Sequence, residues 1–540
     1  MLRQSNQIFA VVQAVFFALL ISTLGVPAFA QGKGIPHTDH NVSGKVAPGL
    51  GSGDAVGTQG SPGTQGPNHS SPVDGEVGIF PEDGLPGNPG GAGDAGGTGG
   101  SLTLTVVGDA DFSGYTVLGS TGGLAGAGGR GGLGQRGGHG VYSGQFATNQ
   151  EHMNGATGGV GGTGAAGATG GAGGDLLFTV TNGNVTFAAG TIFGGTGAVG
   201  GTGGQGGQGG VGGMGGDAHS GRTTGSGGIG GAGGLGGEGG TGGAGGNVAF
   251  TIDNGAIEFN SVTFGGSGGN AGFGGAAGTG GLGGWEGDNS DRRSEPGDVG
   301  SQGNAGNGGV GGNGSLTING GTTTFQGTTY FGGEGGLNAD GKEAADGTGT
   351  LTMNGGSLNL NGDITFRGAD SSFMLGRDAR LSSGNATNQI QANEITLDGM
   401  VYISNGGLLQ LAADNGVYFD GTMDFGLGMD SSSYLDVLGN LTFGENATVS
   451  LYAGDDFFAS LSKGWTYDLL SVTGDVTGIE FLLANWSASS ANNGFSSFRL
   501  VWNADDGILS LSAVPEPATL VILGLGLAGL GVARRRRSAA

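Results

Sequence analysis

The stretch that decides the fold joins short β-prone runs to a glycine tract. Residues 176–195 read LLFTVTNGNVTFAAGTIFGG, and residues 200–208 continue as GGTGGQGGQ. Leu176–Thr181 and Val185–Phe187 alternate apolar with polar residues, which predicts strands with one buried face. Phe193 then precedes the Gly-Gly that opens the tract. The stretch therefore predicts a unit made of strands followed by a glycine-rich excursion.

This unit recurs along the chain. The first strands of successive units begin at residues 102, 176, 248 and 316, and Leu351 follows 35 residues later. Spacings of 74, 72 and 68 residues are typical of a repeat architecture. The matching β-prone runs are Leu102–Val107, Val248–Ile252 and Leu316–Ile318, with second runs at Ile257–Phe259 and Thr322–Phe325 and single aromatic residues at Phe264 and Phe331.

The glycine tracts of residues 101–349 leave two interpretations open. Ordering glycine costs backbone entropy, so a disordered linker is one. The other is an extended helix of three residues per turn, similar to polyglycine II, with tracts packed side by side. Strict GGX phasing favours packed helices slightly, because a linker needs no phase, and glycine permits close backbone approach as it does in collagen.

Two further β regions follow the tracts. Residues 350–439 hold short strands punctuated by Asn-Gly and Asp-Gly, which supply the positive φ of tight turns. Such spacing fits a sandwich, a barrel or a solenoid, and the larger repeat favours a right-handed parallel β-helix. Residues 440–512 hold Trp465, Trp486 and Trp502 and predict an aromatic-rich β cap on the solenoid end, with a sugar-binding platform as the alternative.

Composition limits the function classes. The 540-residue chain has 139 Gly, no Cys and a formal net charge of −25. Thiol catalysis and Cys metal sites are therefore excluded, and non-specific nucleic-acid binding is not expected. Residues 31–100 are rich in Gly and Pro, but their Gly-X-Y register breaks at His69, Pro72 and Pro81, so they predict a flexible spacer and not a collagen helix.

Few residues suggest chemistry. The cluster His37-Thr38-Asp39-His40 lies in the predicted spacer, and we expect the other histidines also to precede the ordered half. Asp109 and Asp111 begin like a calcium loop, but Ser120 stands where the bidentate Glu is needed. The pairs Asp455-Asp456 and Asp505-Asp506 could serve a glycosidase or lyase, although neighbours on a strand point to opposite faces. We predict no catalytic residues, no metal, no cofactor and no enzyme activity. A candidate threonine array is Thr322-Thr323-Thr324 with Thr328-Thr329.

Both termini carry targeting signals. Residues 1–30 hold Arg3, an apolar run and the small residues Ala28 and Ala30, which predict a signal helix cleaved after Ala30. At the other end, Val514-Pro515-Glu516-Pro517 precedes an uncharged span at 518–533. The span is about 24 Å long as a helix, slightly short for a bilayer core of about 30 Å. Four arginines, Arg534, Arg535, Arg536 and Arg537, would stay cytoplasmic and leave the body outside.

Residues 513–540 resemble the PEP-CTERM sorting tail of exported Gram-negative bacterial proteins. The Pro-Glu-Pro motif, the apolar span and the Arg run match that tail in order and spacing. The resemblance implies recognition and cleavage near Pro515-Glu516-Pro517 by an exosortase, and a setting of extracellular matrix, polysaccharide and biofilm. In other proteins the same tail carries the label ice-binding protein C-terminal domain. The strands and turns of the body are also similar to autotransporter and adhesin-like solenoids.

The sequence therefore predicts an exported, non-catalytic structural or adhesive protein of the envelope or extracellular matrix. Its expected partners are signal peptidase and the export machinery, an exosortase, the inner membrane as a transient anchor, and extracellular polysaccharide. The predicted path is periplasmic while anchored, then to the cell surface or beyond. The alternatives are a polysaccharide- or ice-binding module and, third, a β-helix polysaccharide lyase or hydrolase.

Overall fold

The computed structural model describes residues 40–45, 82–113, 117–140, 154–215, 225–287, 292–384, 386–428, 433–453, 457, 466–489 and 498–513. These residues form an all-β body in which an 18-stranded and an 11-stranded sheet wind as a parallel solenoid. One short helix, α1 (Ile479–Ala484), interrupts the strands of this described part. The predicted parallel solenoid is confirmed, and its right-handed sense stays a prediction.

Each turn of the solenoid contributes strands to three faces, and the larger sheet covers the first two of them. The first face contains β1 (His40–Lys45), β2 (Leu102–Phe112), β4 (Leu176–Asn182), β7 (Val248–Ile252), β10 (Gly314–Ile318), β13 (Gly349–Asn361), β15 (Ser372–Ser383), β17 (Glu394–Leu397), β20 (Val417–Phe419), β23 (Leu441–Phe443) and β26 (Val476–Thr477).

The long strands β2, β13 and β15 bend and continue onto the second face, as their pairings show. The other strands of that face are β5 (Asn184–Phe187), β8 (Ala256–Asn260), β11 (Thr322–Gln326), β18 (Met400–Ile403), β21 (Thr422–Leu427), β24 (Thr448–Ala453) and β27 (Trp486–Ser489).

The smaller sheet is the third face. It contains β3 (Val117–Leu118), β6 (Ile192–Phe193), β9 (Thr263–Phe264), β12 (Thr329–Phe331), β14 (Ile364–Phe366), β16 (Thr387–Ala392), β19 (Leu408–Ala413), β22 (Tyr434–Leu438), β25 (Thr466–Val472), β28 (Phe498–Asn503) and β29 (Ile508–Ala513). Its last strands pair antiparallel, β29 against β25 and β28 against β29, so a hairpin ends the solenoid.

Alternation within each strand fills the solenoid with apolar side chains. In β4 the residues Leu176, Phe178 and Val180 are buried, and their partners on β7 align in register, with Phe178 opposite Phe250. On the third face Phe193, Phe264 and Phe331 form a column with ring centroids 4.9 and 4.5 Å apart. This in-register stacking explains why the same aromatic residue recurs once per unit.

The glycine tracts are ordered, and they form a bundle of extended helices beside the solenoid. Between the third face of one turn and the first face of the next, the chain runs out along one tract and returns along another. We name the outbound tracts B (120–140), D (195–215), F (266–287) and H (333–337). The inbound tracts are A (82–100), C (154–174), E (225–246), G (294–312) and I (344–347). At the exits to tracts D and F, Gly194 and Gly265 adopt φ values of 96° and 117°, which only glycine adopts readily.

The hydrogen bonds sort the tracts into two layers. Outbound tracts bond to outbound neighbours, inbound tracts to inbound neighbours, and every tract also bonds across to the other layer. The donors recur every third residue, as expected for three residues per turn. Of the two interpretations of the GGX phase, the packed-helix interpretation is therefore confirmed.

Part of the predicted flexible spacer is ordered, which corrects that prediction. Strand β1 pairs with β2, and tract A bonds to tract C, for example from the Gly84 N–H to the Thr157 carbonyl at 2.9 Å. Several triplets of tract A contain only one Gly, and larger residues such as Leu85 and Asn88 follow that Gly. In tract C the corresponding residues pack against tract A, whereas tract A has no earlier inbound neighbour among the described residues. Low glycine content there marks an edge of the bundle.

Candidate functional site

Each GGX triplet has three positions with separate roles. In tract D, the Gly200 N–H donates to Asn270 O of tract F at 2.9 Å, within the outbound layer. The Gly201 N–H donates to Ala168 O of tract C at 2.8 Å, across the layers. Thr202 is exposed, and its carbonyl accepts from the Gly128 N–H of tract B. Backbone groups thus build the bundle, and third-position side chains form its two outer faces.

Close packing explains the two glycines. A Cβ added to Gly200 would lie 2.2 Å from Gly240 O, and one added to Gly201 would lie 2.0 Å from Gly126 O. Both distances are far below any tolerable contact. First and second positions inside the bundle are therefore restricted to glycine and, at a few places such as Ala165, Ala168 and Ala198, to alanine. The larger side chains of these tracts stand at the third position.

The inbound face carries threonine and acidic side chains, together with the exposed aliphatic residues Val160, Ile229, Leu235 and Val310. Thr169 of tract C and Thr241 of tract E lie side by side, because the Gly170 N–H donates to the Thr241 carbonyl at 2.9 Å. Three acidic residues also stand exposed at third positions, namely Glu238, Glu295 and Asp298. Further exposed threonines are Thr98, Thr157 and Thr163.

The outbound face is more apolar and carries basic residues. Phe273 is the most exposed of its large apolar side chains, at 70%. Arg130 and Arg136 are exposed at third positions of tract B, and Glu334 of tract H pairs with Arg367 of the solenoid at 2.6 Å. The other exposed apolar residues of this face are Leu124, Val199, Val211, Met214, Leu282, Trp285 and Leu337.

A ladder of polar side chains fastens the inbound tracts where they enter the solenoid. Asp175 Oδ1 accepts the Asn247 N–H at 2.7 Å, Asn247 Oδ1 accepts the Asn313 N–H at 2.9 Å, and Asn313 Oδ1 accepts the Thr348 N–H at 2.8 Å. These hydrogen bonds hold successive turns in register, so the oxygen atoms of Asp175, Asn247 and Asn313 that accept them have a structural role.

The structure corrects the predicted threonine array. Thr323 and Thr329 are fully buried, while Thr322 is exposed and Thr324 only partly so. Strand alternation turns successive side chains to opposite faces, so these threonines do not form one flat surface. The regular display of threonine lies on the inbound face of the bundle instead, where residues three apart point the same way.

The other candidate residues take structural positions. Asp109 Oδ1 accepts the Asn184 N–H at 2.7 Å and Asp111 Oδ1 accepts the Thr186 hydroxyl at 3.1 Å, so both carboxylates link successive turns. The Asn503 amide donates to Asp506 Oδ2, and Asp505 N–H donates to Asn503 Oδ1, in the turn that joins β28 and β29. The pair at 505–506 therefore lies on a turn and not on a strand.

The histidine and tryptophan residues were also the subject of predictions. We expected every histidine to precede the ordered half, but His139 lies in tract B, where its Nδ1 accepts the Met214 N–H at 2.9 Å. Trp486, Trp502 and Phe498 are partly buried against the core, as a solenoid end requires. Trp465 and the pair at 455–456 lie outside the described residues.

Tyr467 is the buried ionisable group near the solenoid end. Its hydroxyl accepts the Ser433 N–H at 2.6 Å. Burial raises the pKa of Tyr467 above its ordinary value, and the hydrogen bond from Ser433 opposes that rise. Its position on β25 makes it a packing residue of the third face.

The predicted targeting residues lie outside the described part of the chain. These are Ala28 and Ala30, the motif Val514-Pro515-Glu516-Pro517, the span 518–533, the run Arg534–Arg537, and the side chains of the His37–His40 cluster. Within the described ranges no helix has the length and apolar character needed to cross a bilayer. Those same ranges contain no group of three or more His, Asp or Glu placed to hold a metal ion.

Sequence reasoning missed the two faces of the bundle. The signal that could have found them is the phase of the tracts, since every third residue from Thr121 to His139 or from Thr196 to Met214 shares one surface. Taking those third positions as a column separates an outbound face with aromatic and basic residues from an inbound face with acidic residues and more threonines.

The chain was compared with curated proteins and with solved structures. No curated protein matches the chain. Among solved structures, the chain is similar to the nine polyproline type II helical bundle springtail antifreeze protein from Granisotoma rainieri, at 23% identity over 41% of this chain and 94% of that one. The TM-score is 0.06, far below that of a shared fold. The comparisons do not confirm the likeness to autotransporter solenoids or the ice-binding label of the tail.

Residues 513–537 match the PEP-CTERM protein-sorting motif. The match covers the Pro-Glu-Pro motif, the apolar span and the arginine run, and it confirms the resemblance seen in the sequence. It is the motif by which an exosortase sorts and processes exported proteins. This chain therefore carries the tail of an exported protein that an exosortase handles.

Proposed function

We propose that this chain is a non-catalytic structural or adhesive protein of the cell envelope or extracellular matrix. The observation that carries the proposal is the bundle, a slab held together by backbone hydrogen bonds, whose third-position side chains form two broad, regular faces. Broad flat faces suit contact with other large surfaces, whereas small-molecule chemistry is usually housed in a cleft. The sorting tail, a motif of exported proteins, supports a role of such contacts outside the cell.

The location of the protein and its role are tested in separate experiments. Cells with and without the exosortase are fractionated, and the chain is followed by its size and compartment. We expect a shorter chain at the surface or in the medium only when the exosortase is present. An unchanged size and location in both strains would contradict the processing claim.

The role is tested by complementation of a strain that lacks the chain. The wild-type chain should restore surface attachment or matrix cohesion, and a chain with the bundle disrupted by Gly203→Val and Gly206→Val should not. A variant with Asp505→Asn and Asp506→Asn serves as control and should restore it fully. Loss of the phenotype in the carboxylate variant alone would point to the lyase or hydrolase alternative.

A polysaccharide- or ice-binding module is the second candidate. The inbound face favours it, because Thr169 and Thr241 are adjacent and Thr157, Thr163 and Thr169 recur every six residues along tract C, about 19 Å apart at about 3.1 Å per residue. Glycan pull-down and thermal hysteresis are measured with a fragment of residues 31–513. Thr169→Tyr with Thr241→Tyr should abolish either signal, and Thr202→Tyr on the outbound face should not. A wild-type fragment negative in both assays would remove this candidate.

A further inference from the structure

The outbound face exposes several large apolar side chains, among them the aromatic residues Phe273 and Trp285. Of its exposed side chains, Phe273 is 70% exposed, Leu124 52% and Leu282 51%. Contiguous apolar surface of several hundred Å² on a soluble protein usually marks an interaction site. The face is also flat, because all of its side chains stand at third positions of a single layer of tracts.

The size of the face matches a protein interface. From Thr121 to His139 tract B runs about 56 Å at about 3.1 Å per residue. Tracts B, D and F follow successive turns of the solenoid, so they span roughly 15 Å at about 4.8 Å per turn. The product is on the order of 800 Å², about what one partner contributes to a standard interface.

Charge singles out this face for contact between copies. The chain has a net charge of −25, so most pairs of faces on two copies repel each other. The inbound face presents Glu238, Glu295 and Asp298. At the described third positions of the outbound face the acidic residue is Glu334, which is paired with Arg367, so two outbound faces meet without opposed carboxylates.

The side chains of tract F are self-complementary. A two-fold axis in the plane of the face, crossing the tracts at Gln205 and Ala276, sets Phe273 opposite Thr279 and Trp285 opposite Ser267 of the second copy. The same axis sets Val199 opposite Val211 on tract D, and on tract B it brings Arg130 opposite Arg130 of the second copy, a like-charge contact. It also sends the two solenoids to opposite ends of the paired bundles.

We propose that two copies of this chain pair through their outbound faces, related by a two-fold axis that runs across the tracts. Such an isologous contact is the commonest arrangement of homo-oligomers. This self-association goes beyond the structural or adhesive role, which either oligomeric state could serve.

The first experiment measures association of the processed protein purified from the cells' outer fraction. Analytical ultracentrifugation should show a dimer with a dissociation constant on the order of micromolar or tighter. Phe273→Glu with Val211→Glu buries charge at the contact and should weaken association at least about thirtyfold. The matched control, Ile229→Glu with Val160→Glu, alters residues of similar exposure on the inbound face and should leave it unchanged.

Thermal unfolding shows that each variant is folded. A wild-type protein that stays monomeric at high concentration would overturn the proposal, as would equal effects of the two pairs of variants.

The second experiment tests the axis. The chain has no cysteine, so Val199→Cys with Val211→Cys introduces the only thiols. A short bismaleimide should link two copies into a covalent dimer. Val160→Cys with Ile229→Cys on the inbound face is the control and should form no covalent dimer. Covalent dimers formed only by the control pair would show that copies meet through the opposite face.

Discussion

The solenoid and the bundle belong to one chain, yet different forces hold them together. The solenoid buries aromatic and aliphatic columns such as Phe193, Phe264 and Phe331. The bundle buries almost nothing but glycine backbone, and its cohesion comes from hydrogen bonds that recur every third residue. The comparison teaches that an ordered body can be extended without a hydrophobic core when glycine lets backbones approach closely and a solenoid fixes both ends of each excursion.

Truncating an aromatic residue should lower the free energy of unfolding much more in the solenoid than in the bundle. Phe264→Ala in the solenoid removes a ring packed between two others, and we expect a loss of about 3–5 kcal/mol in the free energy of unfolding. Phe273→Ala in the bundle removes an exposed ring and should change it by less than about 0.5 kcal/mol. Denaturant unfolding monitored by circular dichroism measures both. Equal losses would mean that the bundle has an apolar core after all.

Adding a side chain to a glycine inside the bundle should destabilise the bundle, although removing an exposed side chain from it should not. Gly203→Val places a Cβ 2.1 Å from Gly237 O inside the bundle, and we expect a cost of roughly 1–3 kcal/mol, confined to tracts D and E. Gln302→Val changes the same triplet position in tract G at an exposed residue, beyond the hydrogen bonds that the short tracts H and I make with that tract, and should be neutral. Hydrogen exchange of the tract amides gives the readout. Tolerance of Gly203→Val would show that the tracts are looser than their hydrogen bonds indicate.

Alkali should act on the solenoid before the bundle. Because burial raises the pKa of Tyr467 in the folded state, the unfolded tyrosine loses its proton first as the pH passes about 10.0. The stability that the neutral phenol contributes is therefore complete below that pH and is lost as the pH rises through the folded value.

The measurement is the midpoint of denaturant unfolding between pH 8 and 11. Tyr467→Phe should flatten the alkaline decline, and Tyr452→Phe, at a side chain that is 61% exposed, should not. A decline of the same slope in the Tyr467→Phe variant would assign it to another group.

The smallest expected effect tests the backbone rule itself. Thr202 has an exposed side chain, and its N–H makes no backbone hydrogen bond within the described part of the chain. Thr202→Pro keeps the extended φ and should change the midpoint of thermal unfolding by no more than about 2 °C, as Pro86 and Pro89 already occupy third positions of tract A. Gly204→Pro instead removes the bond to Ala165 O and should lower that midpoint clearly. A shift of the same size in both variants would contradict the assignment of positions.

Much of this architecture could be predicted from the sequence, for identifiable reasons. Period-two alternation fixed strands such as Val248–Ile252 at the bounds later observed, because one buried face demands it. The recurrence of Phe193, Phe264 and Phe331 indicated that successive turns of the chain stack on one another. Of the Asn-Gly and Asp-Gly pairs in residues 350–439, Asn405-Gly406 has the predicted positive φ, at 79° for Gly406, whereas Asn354-Gly355 lies within β13. The sorting tail was recognisable because its motif, span and charges follow one another in the chain.

The sequence alone determined the strands, the repeat, the three-residue phase and the sorting tail, since each is a local or periodic property. Only the tertiary structure decided that the tracts pack in two layers, because that depends on which carbonyl of another tract lies opposite each N–H, such as that of Thr157 for the Gly84 N–H. It also decided that Thr323 is buried while Thr202 is displayed, and that tract A belongs to the bundle. The two faces, with their opposite charge and polarity, exist only once distant tracts are brought side by side.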